Sequence, residues 1–130
     1  MRQYVYISTA TSDLRDGDIA DILQASSRNN VDREITGFLI FNGRNFLQLV
    51  EGPEESLTDL MHKLAGDARH TGIVRLVDIP IDTRVCADWT MEQIRLSNSV
   101  DQRRDDLNRI LPNNLVTHIR KTILNFSSLN

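Results

Sequence analysis

Apolar and polar residues alternate in "RQYVYISTA", residues 2–10. That period predicts a β-strand with Tyr4, Tyr6 and Ser8 on one face and Val5 and Ile7 on the other. The polar "TSDLRDGD" then supplies helix-start residues. A first helix follows through "IADILQASSRNN", with Ile19, Ile22 and Leu23 as its apolar stripe. The same stripe runs on to Ser26, Asn29 and Asn30, so the inward face turns polar at its C-terminal end.

"EITGFLIFNGRNFLQLVEG" reads as a β-hairpin turning at Asn42-Gly43. Both of its strands are apolar on both faces, so both faces of the sheet must be covered. Pro53, Glu54 and Glu55 open a second helix, where proline and acids suit the first turn. Leu57, Leu60, Met61 and Leu64 form its buried stripe, and Gly66 suits its end. "GIVRLVDIPI" predicts a fourth strand that Pro80 places near an edge. "WTMEQIRL" predicts a fifth, with Trp89 and Met91 on one face. Two helical patterns close the chain. Leu107, Ile110 and Leu111 precede Pro112, and Leu115, Ile119, Ile123 and Phe126 follow it.

The order is strand, helix, strand, strand, helix, strand, then an added strand and a helical tail. It predicts an α+β ferredoxin-like sandwich. Its five-stranded mixed sheet would carry two helices on one face and the C-terminal helical pair on the other. The body would span residues 1–97, and residues 98–130 would form an extension packed on the sheet.

Charge and composition narrow the function. The chain has 130 residues and a net charge of −3, with no strong basic field for nucleic-acid backbones. No apolar run has the length of a membrane span and no signal peptide opens the chain. The single cysteine, Cys86, excludes an intrachain disulfide and fits a reducing cytoplasm. His62, His70 and His118 have no metal-ligand spacing, and no phosphate-cradling loop or nucleophile motif occurs.

What remains is a set of neutral polar groups in apolar surroundings. Gln48 lies inside "FLQLV", and a buried amide without partners costs about 1–3 kcal/mol. Tyr6 from the first strand and Ser26 and Asn30 from the first helix point toward the same region. Hydroxyls and amides offer mixed donors and acceptors, which suit a neutral heteroaromatic edge better than a phosphate or a metal. Ile22, Leu23 and Phe46 would wall a flat ring. A buried tyrosine–glutamine pair with helix-capping asparagines accounts for the same residues and stays open on pattern alone.

"YVYIS", "SSRNN…ITGFLIF", "NFLQLVEGPEE", "DARH" and "DWTM" resemble, in order, the blocks of the BLUF domain, the blue-light sensor that uses flavin adenine dinucleotide (FAD). The resemblance spans roughly residues 2–96. It implies that Tyr6 is the photoactive tyrosine, Gln48 the switching glutamine and Asn30 a flavin-binding residue. Ser26 falls near the switching network, with Ile22 in the ring wall. Asp67 and Arg69 match flavin contacts, and Lys63 falls where some members carry arginine. Trp89 and Met91 match the fifth-strand pair. The resemblance implies a sensor without enzymatic activity. It would be cytoplasmic, like the short members of the family, and signal to a separate effector protein or through its own oligomer. The alternative is a non-photoactive ferredoxin-like module that binds a ligand or a protein.

Overall fold

The computed structural model describes residues 1–10, 16–67 and 70–128; the side chains of residues 16, 17, 25–27, 29 and 70 also lie outside the description. The elements are β1 (Arg2–Ala10), α1 (Asp16–Arg33), β2 (Thr36–Phe41), β3 (Asn45–Gly52), α2 (Glu54–Ala65) and β4 (His70–Pro80). They continue with β5 (Glu92–Ile94), α3 (Val100–Ile110) and α4 (Thr117–Ser127). The five-stranded sheet has the order β4-β1-β3-β2-β5. All pairings are antiparallel except β2 with β5, which is parallel. This is the ferredoxin-like α+β arrangement with one strand added beside β2. β4 is an edge strand and ends at Pro80, where a missing N–H costs least.

The Asn42-Gly43 turn forms the β2–β3 hairpin. The Asn42 side-chain oxygen accepts from the Arg44 and Asn45 backbone N–H groups at 3.1 and 2.8 Å. Gly43 takes a φ of 96°, which glycine adopts without strain. Gly37 is needed for a different reason. Its φ is 153°, and a Cβ there would stand 1.9 Å from the Leu49 carbonyl oxygen.

The two sheet faces carry separate cores. On one, α1 and α2 pack Ile19, Ile22, Leu23 and Leu57 over Tyr4, Tyr6, Leu39, Phe46 and Val50. On the other, Leu107, Leu111, Leu115, Ile119, Ile123 and Phe126 cover Val5, Phe38, Ile40, Leu47 and Leu49. The C-terminal helical pair thus buries the second face, as the two-sided apolar strands require. Fully burying such side chains is worth about 1.5–3 kcal/mol each. Arg103 ties this layer together by donating to the Ser97 and Ser127 carbonyls at 2.6 and 3.2 Å.

Two features differ from the sequence pattern. Ile110, expected in the buried stripe of α3, is 45% exposed and lines an open groove with Trp89 and Ile94. It occupies the last turn, where Leu107 and Leu111 already fill the sheet side. The fifth strand is also shorter than "WTMEQIRL" implied, covering only Glu92–Ile94. The preceding residues form a turn in which the Trp89 N–H donates to the Cys86 carbonyl at 3.0 Å. Strand periodicity therefore does not apply to Trp89 and Met91, and they point to opposite faces. Trp89 packs with the tail-side core, edge-on to Phe38 at 5.8 Å between centroids, while Met91 is buried in the core under α1 and α2.

Candidate functional site

β1 and β3 set Tyr6 directly opposite Gln48 in an antiparallel register. Both side chains point to the α1–α2 face, and Leu39 of β2 flanks Gln48 on its other side. Tyr6 is 1% exposed and Gln48 8%. The Tyr6 hydroxyl donates to Gln48 Oε1. Burial pushes the phenol well above its ordinary pKa of 10.0, so it remains a neutral donor. The other end of the amide is also engaged: Gln48 Nε2 donates to the Met91 sulfur at 3.0 Å.

Asn30 closes the site from α1. Its side chain is buried, and its Nδ2 donates to the Thr90 carbonyl at 3.4 Å, one residue before Met91. Its own carbonyl accepts from the Ile35 N–H at 2.9 Å, in the turn into β2 where Glu34 takes a φ of 61°. The Gly37 N–H donates to the Trp89 carbonyl at 2.8 Å. The segment from Trp89 to Met91 is thus bound to α1, β2 and β3 through Asn30, Gly37 and Gln48.

Of the residues singled out in the sequence, the structure brings together Tyr6, Gln48, Asn30 and Met91, with Ile22 and Leu23 half-buried in the same core. Trp89 is not among them; it serves the opposite face. Lys63 is exposed in the last turn of α2, and Asp67 is half-buried just beyond it. Ser26 lies on α1, but its side chain is outside the described residues, as is Arg69. Among the described residues no group of His, Cys, Asp and Glu could hold a metal ion.

The pattern reading missed a second buried polar cluster on the tail side of the sheet. Glu51 is fully buried, and its two carboxylate oxygens accept four hydrogen bonds. These come from Gln3 Nε2 (3.2 Å), the Thr36 hydroxyl (3.1 Å), the Val85 N–H (3.0 Å) and the Cys86 N–H (2.5 Å). Arg84 adds bonds to the Thr36 hydroxyl and to the Glu51 and Glu34 carbonyls, at 2.9, 3.0 and 2.5 Å. The signal was present: Glu51 shares the period-2 face of Leu47 and Leu49, and an acid on such a face must find partners.

The sequence profile of the BLUF family, "Sensors of blue-light using FAD", matches residues 1–92. The chain belongs to the BLUF family. The β subunit of a photoactivated adenylate cyclase from Euglena longa is 36% identical over 87 residues, covering 66% of this chain and 10% of that protein. A blue light- and temperature-regulated antirepressor from Escherichia coli K12 is 39% identical over 59 residues, covering 45% of this chain and 15% of the relative. The chain therefore spans only a small part of these curated relatives.

Among solved structures, the dark state of BlrB, a BLUF protein, superposes with a TM-score of 0.75 at 28% identity, covering 96% of both chains. A bacterial light-regulated adenylyl cyclase aligns at a TM-score of 0.71 and 26% identity, covering 97% of this chain and 33% of that one. The family is described as sensors of blue light that use FAD. The donor set fits that cofactor. Two buried carboxamides and a phenol can match alternating carbonyl and N–H groups along a flavin edge, with apolar walls for its face.

Proposed function

We propose that this protein binds FAD non-covalently and converts blue light into a rearrangement of the Tyr6–Gln48–Met91 hydrogen bonds. The observation that carries the reading is the state of the Gln48 amide. Its oxygen accepts from a buried phenol and its nitrogen is spent on a sulfur. Thioether sulfur is a weak acceptor, so this N–H can be redirected at little cost.

Asn30, Gln48 and Tyr6 would hold the ring edge and Ile22 its face. Asp67, Arg69 and Lys63 would serve the remainder of the cofactor, and Ser26 would tune the network from α1. When bound, FAD absorbs blue light and in its excited state is a strong one-electron oxidant. Tyr6 would then supply the ring with an electron and, through the Gln48 amide it is bonded to, with its phenolic proton. With that proton gone, the Tyr6 oxygen changes from donor to acceptor, and the partner at Gln48 Oε1 is mismatched. Gln48 resolves the mismatch by turning its amide or by shifting to its imidic tautomer; either exchanges donor for acceptor at the same place. Return of the electron and proton to Tyr6 would restore the phenol, and the altered amide would remain as the signal. No substrate is consumed.

Because Gln48 Nε2 and the Met91 sulfur are partners, the exchange reaches the segment that carries Trp89 and leads through β5 to α3 and α4. Output would pass from this tail to a separate effector protein, in the cytoplasm, with a change in the protein's own assembly as part of the response. The relatives' names, a cyclase and an antirepressor, support a light-controlled output. Among the described residues no helix is long and apolar enough to cross a membrane.

The test is an absorption spectrum. The purified protein should be yellow. Under blue light it should show a red shift that reverses in the dark, without any reductant. A colourless protein, or a flavin spectrum that light leaves unchanged, would overturn the reading.

A further inference from the structure

Gln48 and Glu51 are three residues apart on β3, so they face opposite sides of the sheet. Each holds one end of the same short segment. On the tail side, the Glu51 carboxylate accepts from the Val85 and Cys86 N–H groups, at 3.0 and 2.5 Å. On the helix side, Gln48 Nε2 donates to the Met91 sulfur at 3.0 Å. Between them the backbone is closed by Trp89 N–H to the Cys86 carbonyl and by Gly37 N–H to the Trp89 carbonyl, at 3.0 and 2.8 Å. Cys86 lies in the tail-side core and Met91 in the other.

We propose that Glu51, clamped by Arg84, is a positioning residue: it fixes the root of the 84–91 segment and thereby holds the Met91 sulfur on the Gln48 amide. An acid is required for this. A carboxylate has only acceptors, and here all four incoming groups are donors. A glutamine in its place would put an NH₂ group against donors. Gln3 could relieve part of that conflict, because its Oε1 is buried without a partner among the described residues and a turned amide would present it as an acceptor. The Val85 N–H has no such option and would lose its partner. Arg84 closes the cluster from outside by bonding to the Glu51 and Glu34 carbonyls and to Thr36. It thus joins the segment's root to the turn that follows Asn30. The positioning role concerns the dark structure; its bearing on the light response rests on the function proposed above.

The three methionines, Met1, Met61 and Met91, make the test specific. The full-length protein, as purified and kept in the dark, is labelled at the methionine methyl groups and compared by NMR with Glu51→Gln and Arg84→Met. The Met91 methyl resonance should shift or broaden in both variants. Met61, on α2 beneath the same core as Met91, should stay unchanged. Amide exchange at Val85 should rise by roughly tenfold in Glu51→Gln, the scale of one lost hydrogen bond.

An unprotected Val85 amide with an unmoved Met91 methyl would overturn the proposal, because the root would then not set the tip. Equal movement of Met61 and Met91 would overturn it too, as a general loosening of the fold. Should Glu51→Gln not fold, Arg84→Met decides by the same criteria, since Arg84 lies at the half-buried rim of the cluster. Both measurements are made without light, so a failure of the photochemistry and a failure of this inference are told apart.

Discussion

The sulfur of Met91 lies 3.0 Å from Nε2 of Gln48. The amide is therefore held between unequal partners, a buried phenol at its oxygen and a thioether at its nitrogen. An amide bound firmly at both ends would resist change. Here the weak bond is the one that must break for the nitrogen to be redirected, and it also leads to the C-terminal segment.

Replacing Gln48 with leucine keeps the approximate volume and removes the switchable group. Gln48→Leu should still bind flavin but show no light-induced red shift. The Tyr6 hydroxyl would lose its acceptor, which costs about 1–3 kcal/mol of stability. Difference spectra under blue light and a urea melt measure the two effects separately. A wild-type red shift in this variant would remove Gln48 from the mechanism.

Tyr6→Phe removes only a hydroxyl. The ring keeps its packing, so flavin retention and fold should survive, with a loss of about 1–3 kcal/mol for the unpaired Gln48 oxygen. The normal photocycle should be absent, because the phenolic proton and a readily oxidised ring are gone. Transient absorption after a blue pulse is the check, and a wild-type quantum yield would rule Tyr6 out as donor.

Asn30→Ala should weaken flavin retention more than Gln48→Leu. In the proposed function Asn30 would offer its amide to the ring edge, and in the structure that amide donates to the Thr90 carbonyl from α1. Its loss leaves a cofactor group and a backbone group unpaired at once, at about 1–3 kcal/mol for each buried group. Equal flavin occupancy of the two variants after prolonged dialysis would contradict this ranking.

The fold class and the two covered sheet faces were legible because alternation in β1 and unbroken apolar runs in β2 and β3 are strong local signals. The same reasoning placed Tyr6 and Gln48 together, since two buried polar side chains on central strands must satisfy each other. It failed where the backbone stops being periodic. Trp89 and Met91 are two apart, and strand logic sets them on one face. A turn closed by Trp89 and Cys86 sends them to opposite faces. Glu51 was passed over for another reason. All four of its donors are non-local in sequence and two are backbone amides from a loop, which no pattern of side chains reveals.

Cys86 gives a prediction for alkaline pH. Burial, and then the Glu51 charge, push its thiol from an ordinary value of 9.0 up to about 12. The unfolded chain therefore releases this proton first as pH rises. Between those two values the folded state binds more protons, and stability falls by about 1.4 kcal/mol per pH unit from this group. Below pH 9 the contribution is fully present. Cys86→Ala should flatten the decline, so that wild type loses about 1 kcal/mol more than the variant between pH 8 and 10. Urea midpoints at those pH values test it. The buried Tyr6 phenol adds a similar loss at higher pH in both proteins, which is why the window stops at 10. Parallel declines would show that the thiol ionises freely in the folded state.

Met91 and Trp89, which point to opposite faces, allow the proposed photochemistry and its readout to be tested separately. Met91→Ala removes the sulfur that Gln48 Nε2 touches and leaves the Tyr6–Gln48 pair intact, so the red shift should persist. The buried cavity costs about 2–5 kcal/mol, and the comparison should be made well below the melting temperature. What should fall is the lit-minus-dark difference in hydrogen exchange across residues 100–127, because the amide has lost its contact with the segment leading to β5 and the tail. Trp89→Ala acts on the other side. It removes the edge-on contact with Phe38 and part of the tail-side core, so exchange in α3 and α4 should rise in the dark as well as in the light. The pattern is therefore specific: Met91→Ala lowers the light-minus-dark difference in the tail, and Trp89→Ala raises tail exchange in dark and light alike while leaving the red shift. An undiminished light difference in Met91→Ala would place the signal's exit elsewhere, through the β2–β3 hairpin or α2.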